Sequence, residues 1–98
     1  MATINDYIKE ISEAQAKEWK LDGFDMTTAP TFHIEEGQRF YKVVRACFGQ
    51  TSVHCFVEKT SGNIYKAATW SAPVKNVRGN INSEKKPLLG YQFYNKYY

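Results

Sequence analysis

The side chains best suited to nucleophilic chemistry in this chain are two cysteines and two histidines. His54 and Cys55 are adjacent, but neighbouring residues of a strand point to opposite faces, so they cannot easily share a proton. Cys47 could approach His54 across a hairpin, yet acyl transfer would also need an orienting acid beside the histidine. Apolar flanks and the lack of a secretion signal favour free, inert thiols over a catalytic cysteine or a disulfide between Cys47 and Cys55.

The remaining polar clusters do not have the spacing of a metal site or a phosphate loop. Glu35 and Glu36 are adjacent and diverge, while Asp22 and Asp25 lack the further oxygen ligands of a calcium site. Thr60-Ser61-Gly62 is explained by hairpin geometry. We therefore predict no enzymatic activity, no cofactor and no metal.

A second kind of chemistry is suggested by rings that alternate with cations in the later part of the chain, as in proteins that bind single-stranded nucleic acid. The predicted contact residues are Lys66, Trp70, Lys75, Arg78, Lys85 and Lys86. Stacking requires exposed rings, and Trp70 could equally seal the end of the sheet, since tryptophan is usually buried. The leading prediction is a non-enzymatic protein that binds a macromolecule, with nucleic acid as the first candidate.

The charges are strongly polarised along the sequence. Residues 1–38 contain three Lys against eight Asp or Glu, whereas residues 39–98 contain ten Lys or Arg against two Glu. The alternative prediction is therefore a protein–protein binder. Its contact residues would be Glu10, Glu13, Glu18, Asp22 and Asp25, which could also join the basic face of a second copy in a homo-oligomer.

One amphipathic helix is predicted over residues 3–20. Apolar residues recur at three- and four-residue steps from Ile4 through Tyr7 and Ile11, and charged residues occupy the other side. Thr3 or Asn5 can cap the amino terminus, and Gly23 can close the carboxyl terminus in a left-handed conformation.

The rest of the chain predicts an antiparallel meander of three or four strands. The candidate strands are 31–35, 39–48, 52–59 and 64–70, and residues 71–98 read as a basic loop followed by an aromatic tail. A sheet with one apolar face needs a cover, which the helix provides. The 98 residues are thus one α+β domain. No apolar run approaches the ~20 residues needed to cross a bilayer, so no membrane partner is expected.

Residues 52–81, SVHCFVEKTSGNIYKAATWSAPVKNVRGNI, resemble a group of small hypothetical proteins of tailed bacteriophages, many of them marine or cyanobacterial. In that group V-H-x-F-V-x-K-x-T-G-x-I-Y-K is followed by A-x-W-x-A-P-x-K-x-x-R-G-N, and Ala67 stands where proline is common. The resemblance is close over residues 38–81 and weak over the helix. It implies a bacteriophage source, and with it the host cytoplasm as the location, but no mechanism. For the alternative prediction of a protein–protein binder, the resemblance implies either an inhibitor of a host enzyme or defence factor or a small virion component.

Overall fold

The computed structural model describes residues 3–84 and 86–89, and its first element is α1, Ile4–Leu21. The Thr3 side chain accepts from the Asp6 amide while the Asp6 carboxylate accepts from the Thr3 amide, which satisfies two donors that a helix start leaves free. Gly23 has a φ of +82° just beyond the helix end. The predicted helix and both of its boundaries are confirmed within one residue.

Five antiparallel strands follow in a simple meander. They are β1 Thr31–Glu36, β2 Phe40–Cys47, β3 Gln50–Glu58, β4 Asn63–Ala67 and β5 Pro73–Asn80, in the spatial order of the sequence. The α+β class is confirmed, but the sheet has five strands rather than three or four.

The fifth strand corrects the prediction that residues 71–80 form a loop. Their Pro, Gly and Asn residues indicated irregular structure, yet they form β5, which within residues 3–84 and 86–89 pairs only with β4, at the end of the strand order. Proline is tolerated on such an edge strand because its missing N–H removes no central hydrogen bond. Pro73, the first residue of β5, meets that condition.

The core lies between α1 and one face of the sheet, which we call the near face. It comprises Tyr7, Ile11, Val43, Cys55, Val57, Ile64 and Ile81, all of them buried. The residues from β2, β3 and β4 are cross-strand partners or alternate along one strand, which places them on one side of the pleat. The apolar stripe predicted for the helix is thus the cover that the sheet requires.

Residues 86–89, which we call the strap, close the core from the side. The Tyr7 hydroxyl donates to the Pro87 carbonyl oxygen, and Lys86 Nζ lies 2.9 Å from a Glu10 carboxylate oxygen on α1. A Cβ at Gly79 of β5 would lie 2.7 Å from Pro87 Cδ, so only glycine permits this approach. The strap therefore touches both the helix and the last strand.

Replacing Tyr7 with Phe is expected to lower the free energy of unfolding by about 1–3 kcal/mol, because the buried Pro87 carbonyl loses its donor. Urea unfolding at neutral pH measures the change. Tyr41→Phe is the matched control, since within residues 3–84 and 86–89 the Tyr41 hydroxyl has no hydrogen bond. Equal losses in the two variants would contradict the role assigned to the Tyr7 hydroxyl.

Candidate nucleic-acid interface

The face of the sheet turned away from α1, here called the far face, carries a row of paired residues across all five strands. Glu35, Lys42, Phe56, Tyr65 and Val77 are successive cross-strand partners from β1 to β5. The neighbours of Phe56 along β3 belong to the near-face core, so the row points the other way. No helix covers this row in the described part of the chain.

Aromatic rings form the floor of the far face. Phe40 packs edge-on against Phe56 and Tyr65, with centroid separations of 6.0 and 5.7 Å. The Trp70 ring lies over Lys42, with Nζ 4.6 Å from the ring centroid, a distance at which a cation is attracted to an aromatic face. The connection from β4 to β5 is thereby folded back over the sheet.

Trp70 neither seals the sheet as a buried ring nor stands free of it. The residue is 48% exposed while the Lys42 side chain is 16% exposed. The lysine thus supports the indole from below and leaves nearly half of the residue accessible. A half-exposed ring supported on one side is suited to stacking on a planar ligand.

Four of the six predicted contact residues, Lys66, Trp70, Lys75 and Arg78, lie on one hairpin, residues 63–80, formed by β4, β5 and their connection. Lys75 is exposed, and Lys66 and Arg78 are half-buried. The chain has no Asp or Glu between Glu58 and Glu84. The hairpin therefore carries only positive charge.

Three cations of the neighbouring strands and their connections are paired with acids. The pairs are Arg39–Glu58 at 2.8 Å, Lys59–Glu36 at 2.6 Å and Lys42–Glu35 at 3.7 Å. Hydrogen bonds from Ser61 and Arg39 also lower the pKa of Glu58, which keeps that carboxylate ionised. By contrast, Lys75 and Arg78 make no ion pair within residues 3–84 and 86–89, and they are the hairpin's available charges.

The other two predicted residues do not join this surface. Lys86 pairs with Glu10 and donates to the carbonyl oxygens of Ile81 and Ser83, with a side chain only 11% exposed. Its charge is used to hold the strap to α1. Lys85 and the aromatic tail after Gly90 lie outside the described residues.

Sequence reasoning missed Phe40 and Phe56 of the neighbouring strands β2 and β3. It considered Lys42 of β2 as part of a basic surface but did not foresee its contact with Trp70. Together with Arg39 and Ser71, these three residues border a groove of about 290 Å³ beside Trp70. The sequence does contain one signal for these residues: Phe40 and Lys42 are two positions apart, which places both on one face of β2. Their meeting with Trp70 depends on strand register and on the fold of the β4–β5 connection.

The predicted strand alternation is wrong at His54. Val43 pairs with Cys55 and Val44 with Val53, so His54 is the extra residue of a β-bulge, which re-aims a side chain. His54 Nε2 lies 2.7 Å from the Leu88 carbonyl oxygen of the strap. That nitrogen is thus occupied as a donor to the strap.

Neither cysteine is placed for nucleophilic chemistry beside this histidine. Burial raises the pKa of Cys55 to about 12, and the thiol lies 4.0 Å from the Tyr7 hydroxyl. Cys47 pairs with Gln50 at the β2–β3 turn, so the approach of Cys47 to His54 is not made. Both cysteines are free thiols.

Other kinds of site are not found among the same residues. Within residues 3–84 and 86–89, no group of three or more His, Cys, Asp or Glu could hold a metal ion. No helix in the described part of the chain is long and apolar enough to span a bilayer. Of the acidic residues on α1 and its following loop, Glu10 is paired with Lys86, while Glu13 and Asp22 are exposed; protein binding through them stays a prediction.

Comparison with known proteins gives a family match over most of the chain. Residues 1–91 match a family of unknown function (DUF7717). No curated protein and no solved structure matches the chain significantly. None of these comparisons indicates a ligand or an activity.

Stability is expected to fall on acidification through the pH range in which a free histidine titrates. Burial is the main cause that lowers the pKa of His54 below its ordinary value, and the bond to the Leu88 carbonyl oxygen opposes it in part. As the pH falls, the unfolded chain therefore binds this proton before the folded chain does. The free energy of unfolding is thus at its full value above about pH 7 and declines below about pH 6.5.

Urea unfolding at intervals from pH 7.5 to about pH 5, above the range in which ordinary carboxylates titrate, measures this decline. His54→Gln, which keeps an N–H donor, should flatten the curve, whereas His33→Gln should leave the decline in place because His33 is exposed. A decline that survives in His54→Gln would refute the assignment.

Proposed function

We propose that this chain, which belongs to the family of unknown function DUF7717, is a non-enzymatic protein that binds single-stranded nucleic acid. The observation that carries the proposal is the half-exposed Trp70 ring, supported by Lys42, at the end of a hairpin that holds only positive charge. Proteins that bind single strands combine a positively charged path for phosphates with rings for the bases.

The hairpin supplies both parts of such a site. Lys75 and Arg78 make no ion pair in the described part of the chain, so contact with a phosphate would not require breaking one. Trp70 offers a stacking surface. Tyr65 lies on the same face of the sheet and packs edge-on against Phe40, which also packs edge-on against Phe56. Stacking on an exposed ring is tolerant of base identity because every base has a π-face.

Single strands fit this arrangement better than duplex DNA. Reading the major groove requires an inserted helix or two-stranded ribbon. The β4–β5 hairpin is not a free ribbon, because β4 is also paired with β3. The helix α1 buries its apolar stripe and carries four acids against three lysines. Those acids would repel phosphates. The rings of the far face, in turn, need bases that are not already stacked in a duplex.

The proposed setting is bacteriophage infection, with the protein in the host cytoplasm. The resemblance of residues 52–81 to tailed-phage proteins supports this setting, and the same residues contain the whole hairpin. The ligand could be phage or host nucleic acid, since base identity is not read by stacking.

Fluorescence anisotropy with a labelled single-stranded oligonucleotide tests the proposal. We expect micromolar binding that weakens as salt rises, and weaker binding to a duplex of the same sequence. Trp70→Ala should reduce affinity about tenfold, the equivalent of stacking on one base. Lys75→Glu with Arg78→Glu should remove most binding and reduce the salt slope by about 0.7 for each phosphate that is no longer neutralised.

Lys9→Glu with Lys17→Glu is the matched control, because it makes the same change in net charge on exposed positions of α1. This double variant should retain nearly full affinity once the salt concentration is moderate. The proposal fails if the wild-type protein does not bind at low salt, or if the control loses as much affinity as the hairpin variant.

A further inference from the structure

A second exposed aromatic surface lies at the carboxyl end of α1, away from the hairpin. We define the aromatic patch as Trp19, Phe24 and Phe48; Trp19 is 4.7 Å from Phe24 and 6.1 Å from Phe48 between ring centroids. Phe24 is 54% and Phe48 72% exposed. Leu21 and Met26, which flank Phe24 along the chain, are exposed as well. Clusters of exposed apolar side chains of this kind mark interaction surfaces.

Phe48 occupies a position that its own backbone does not favour. Cys47 and Gln50 pair across a two-residue turn in which Phe48 and Gly49 have φ values of +53° and +76°. Turns with two positive φ values favour Asn-Gly, and a bulky residue at the first position is strained. In the described part of the chain, the Trp19 ring is the one aromatic neighbour of Phe48, and it leaves the phenylalanine mostly in solvent. A contact with another molecule would account for a ring at this strained position.

The patch is held in place before any contact forms. Trp19 Nε1 donates to the Asp25 carbonyl oxygen at 3.1 Å and lies 3.3 Å from the Thr28 hydroxyl. These bonds fix the loop that carries Phe24 against the end of α1. A preformed surface loses little side-chain freedom on binding.

Beside the protruding Phe48 ring lies a groove of about 510 Å³. Its lining includes the Trp19 ring, Arg45, Thr51 and Ser52, along with Phe48 itself. One surface therefore presents both a protruding ring and a ring-lined groove. A surface with both parts can pair with an identical copy of itself about a two-fold axis.

We propose that the aromatic patch joins two copies of this chain in a two-fold dimer, with Phe48 of each copy entering the groove beside Trp19 of the other. The charges near the patch are balanced: Lys17, Lys20 and Arg45 stand against Glu18, Asp22 and Asp25. Two such surfaces can approach without net repulsion, although the whole chain carries +3. This contact differs from one between the acidic helix face and the basic hairpin, which would leave the patch uncovered.

The dimer has a consequence that rests on the proposed function. Trp19 is on the helix that covers the near face, whereas Trp70 lies over Lys42 on the far face. Two copies joined through the patch therefore leave both hairpins accessible. The dimer would bind a long single strand at two places and gain affinity through effective concentration.

Sedimentation velocity over a range of micromolar concentrations tests the dimer. Phe48→Asn installs the Asn-Gly pair that this turn favours and removes the ring without threatening the fold. Thr51→Lys places a charged side chain at the groove while leaving Phe48 intact. Val77→Asn, which removes another exposed apolar residue, this one from the hairpin, is the control.

We expect a dimer for the wild type and for Val77→Asn, and monomers for Phe48→Asn and Thr51→Lys, each with a wild-type circular dichroism spectrum. A wild-type monomer at every concentration would overturn the proposal, as would a dimeric Phe48→Asn. Oligomers that grow beyond the dimer would exclude a closed two-fold contact and overturn it too.

Binding to single strands separates this inference from the proposed function. Phe48→Asn should bind a long oligonucleotide about tenfold or more weakly than the wild type, but a short one equally well. Lys75→Glu with Arg78→Glu should remove most binding and remain a dimer. A wild-type dimer that binds no nucleic acid defeats the proposed function alone, and a wild-type monomer that binds it defeats the dimer alone.

Discussion

The hydroxyl of Tyr7 joins three parts of the chain that are far apart in sequence. This hydroxyl donates to the Pro87 carbonyl oxygen of the strap and lies 4.0 Å from the Cys55 thiol of β3. The Tyr7 ring belongs to the core under α1. Burial raises the pKa of this phenol far above its ordinary value, so the group stays a neutral donor. Because the helix, the central strand and the strap are held together, the core residues of the near face are buried. The far face is consequently the side of the sheet that remains for a ligand.

This division of the two faces also separates the charges. α1 carries both acids and lysines, whereas the hairpin of β4 and β5 carries cations and no acid. Lys86, outside the hairpin, binds Glu10 and serves the fold. The proposed ligand contact and the proposed dimer contact therefore use different surfaces, one around Trp70 and one around Trp19, and each tryptophan reports on one of them.

Local patterns predicted the helix, its caps and the first four strands, because spacing and capping residues act within a few positions of the chain. The same reasoning failed at β5, where Pro73 and Gly79 resemble loop residues until their edge position and the contact with Pro87 are known. It also failed at His54, because a bulge depends on the pairing of two strands. For the site, Lys66, Trp70, Lys75 and Arg78 lie on one hairpin because they are close in sequence, and their contact with a ligand stays a prediction. Lys86 lies elsewhere because its partner Glu10 is 76 positions away. The contact of Lys42 with Trp70 could not be foreseen because only strand register brings the two together.

The central claim is that Trp70 and its hairpin form the nucleic-acid contact, and the two indole N–H signals of the protein test it directly. In a two-dimensional ¹⁵N–¹H spectrum recorded while a single-stranded oligonucleotide is added, the Trp70 indole signal and the amides of β4 and β5 should shift in a saturable way. The Trp19 indole, which is bonded to the Asp25 carbonyl oxygen on the other side of the molecule, should stay in place. Shifts confined to Trp19 and α1, or no shifts at all, would contradict the account.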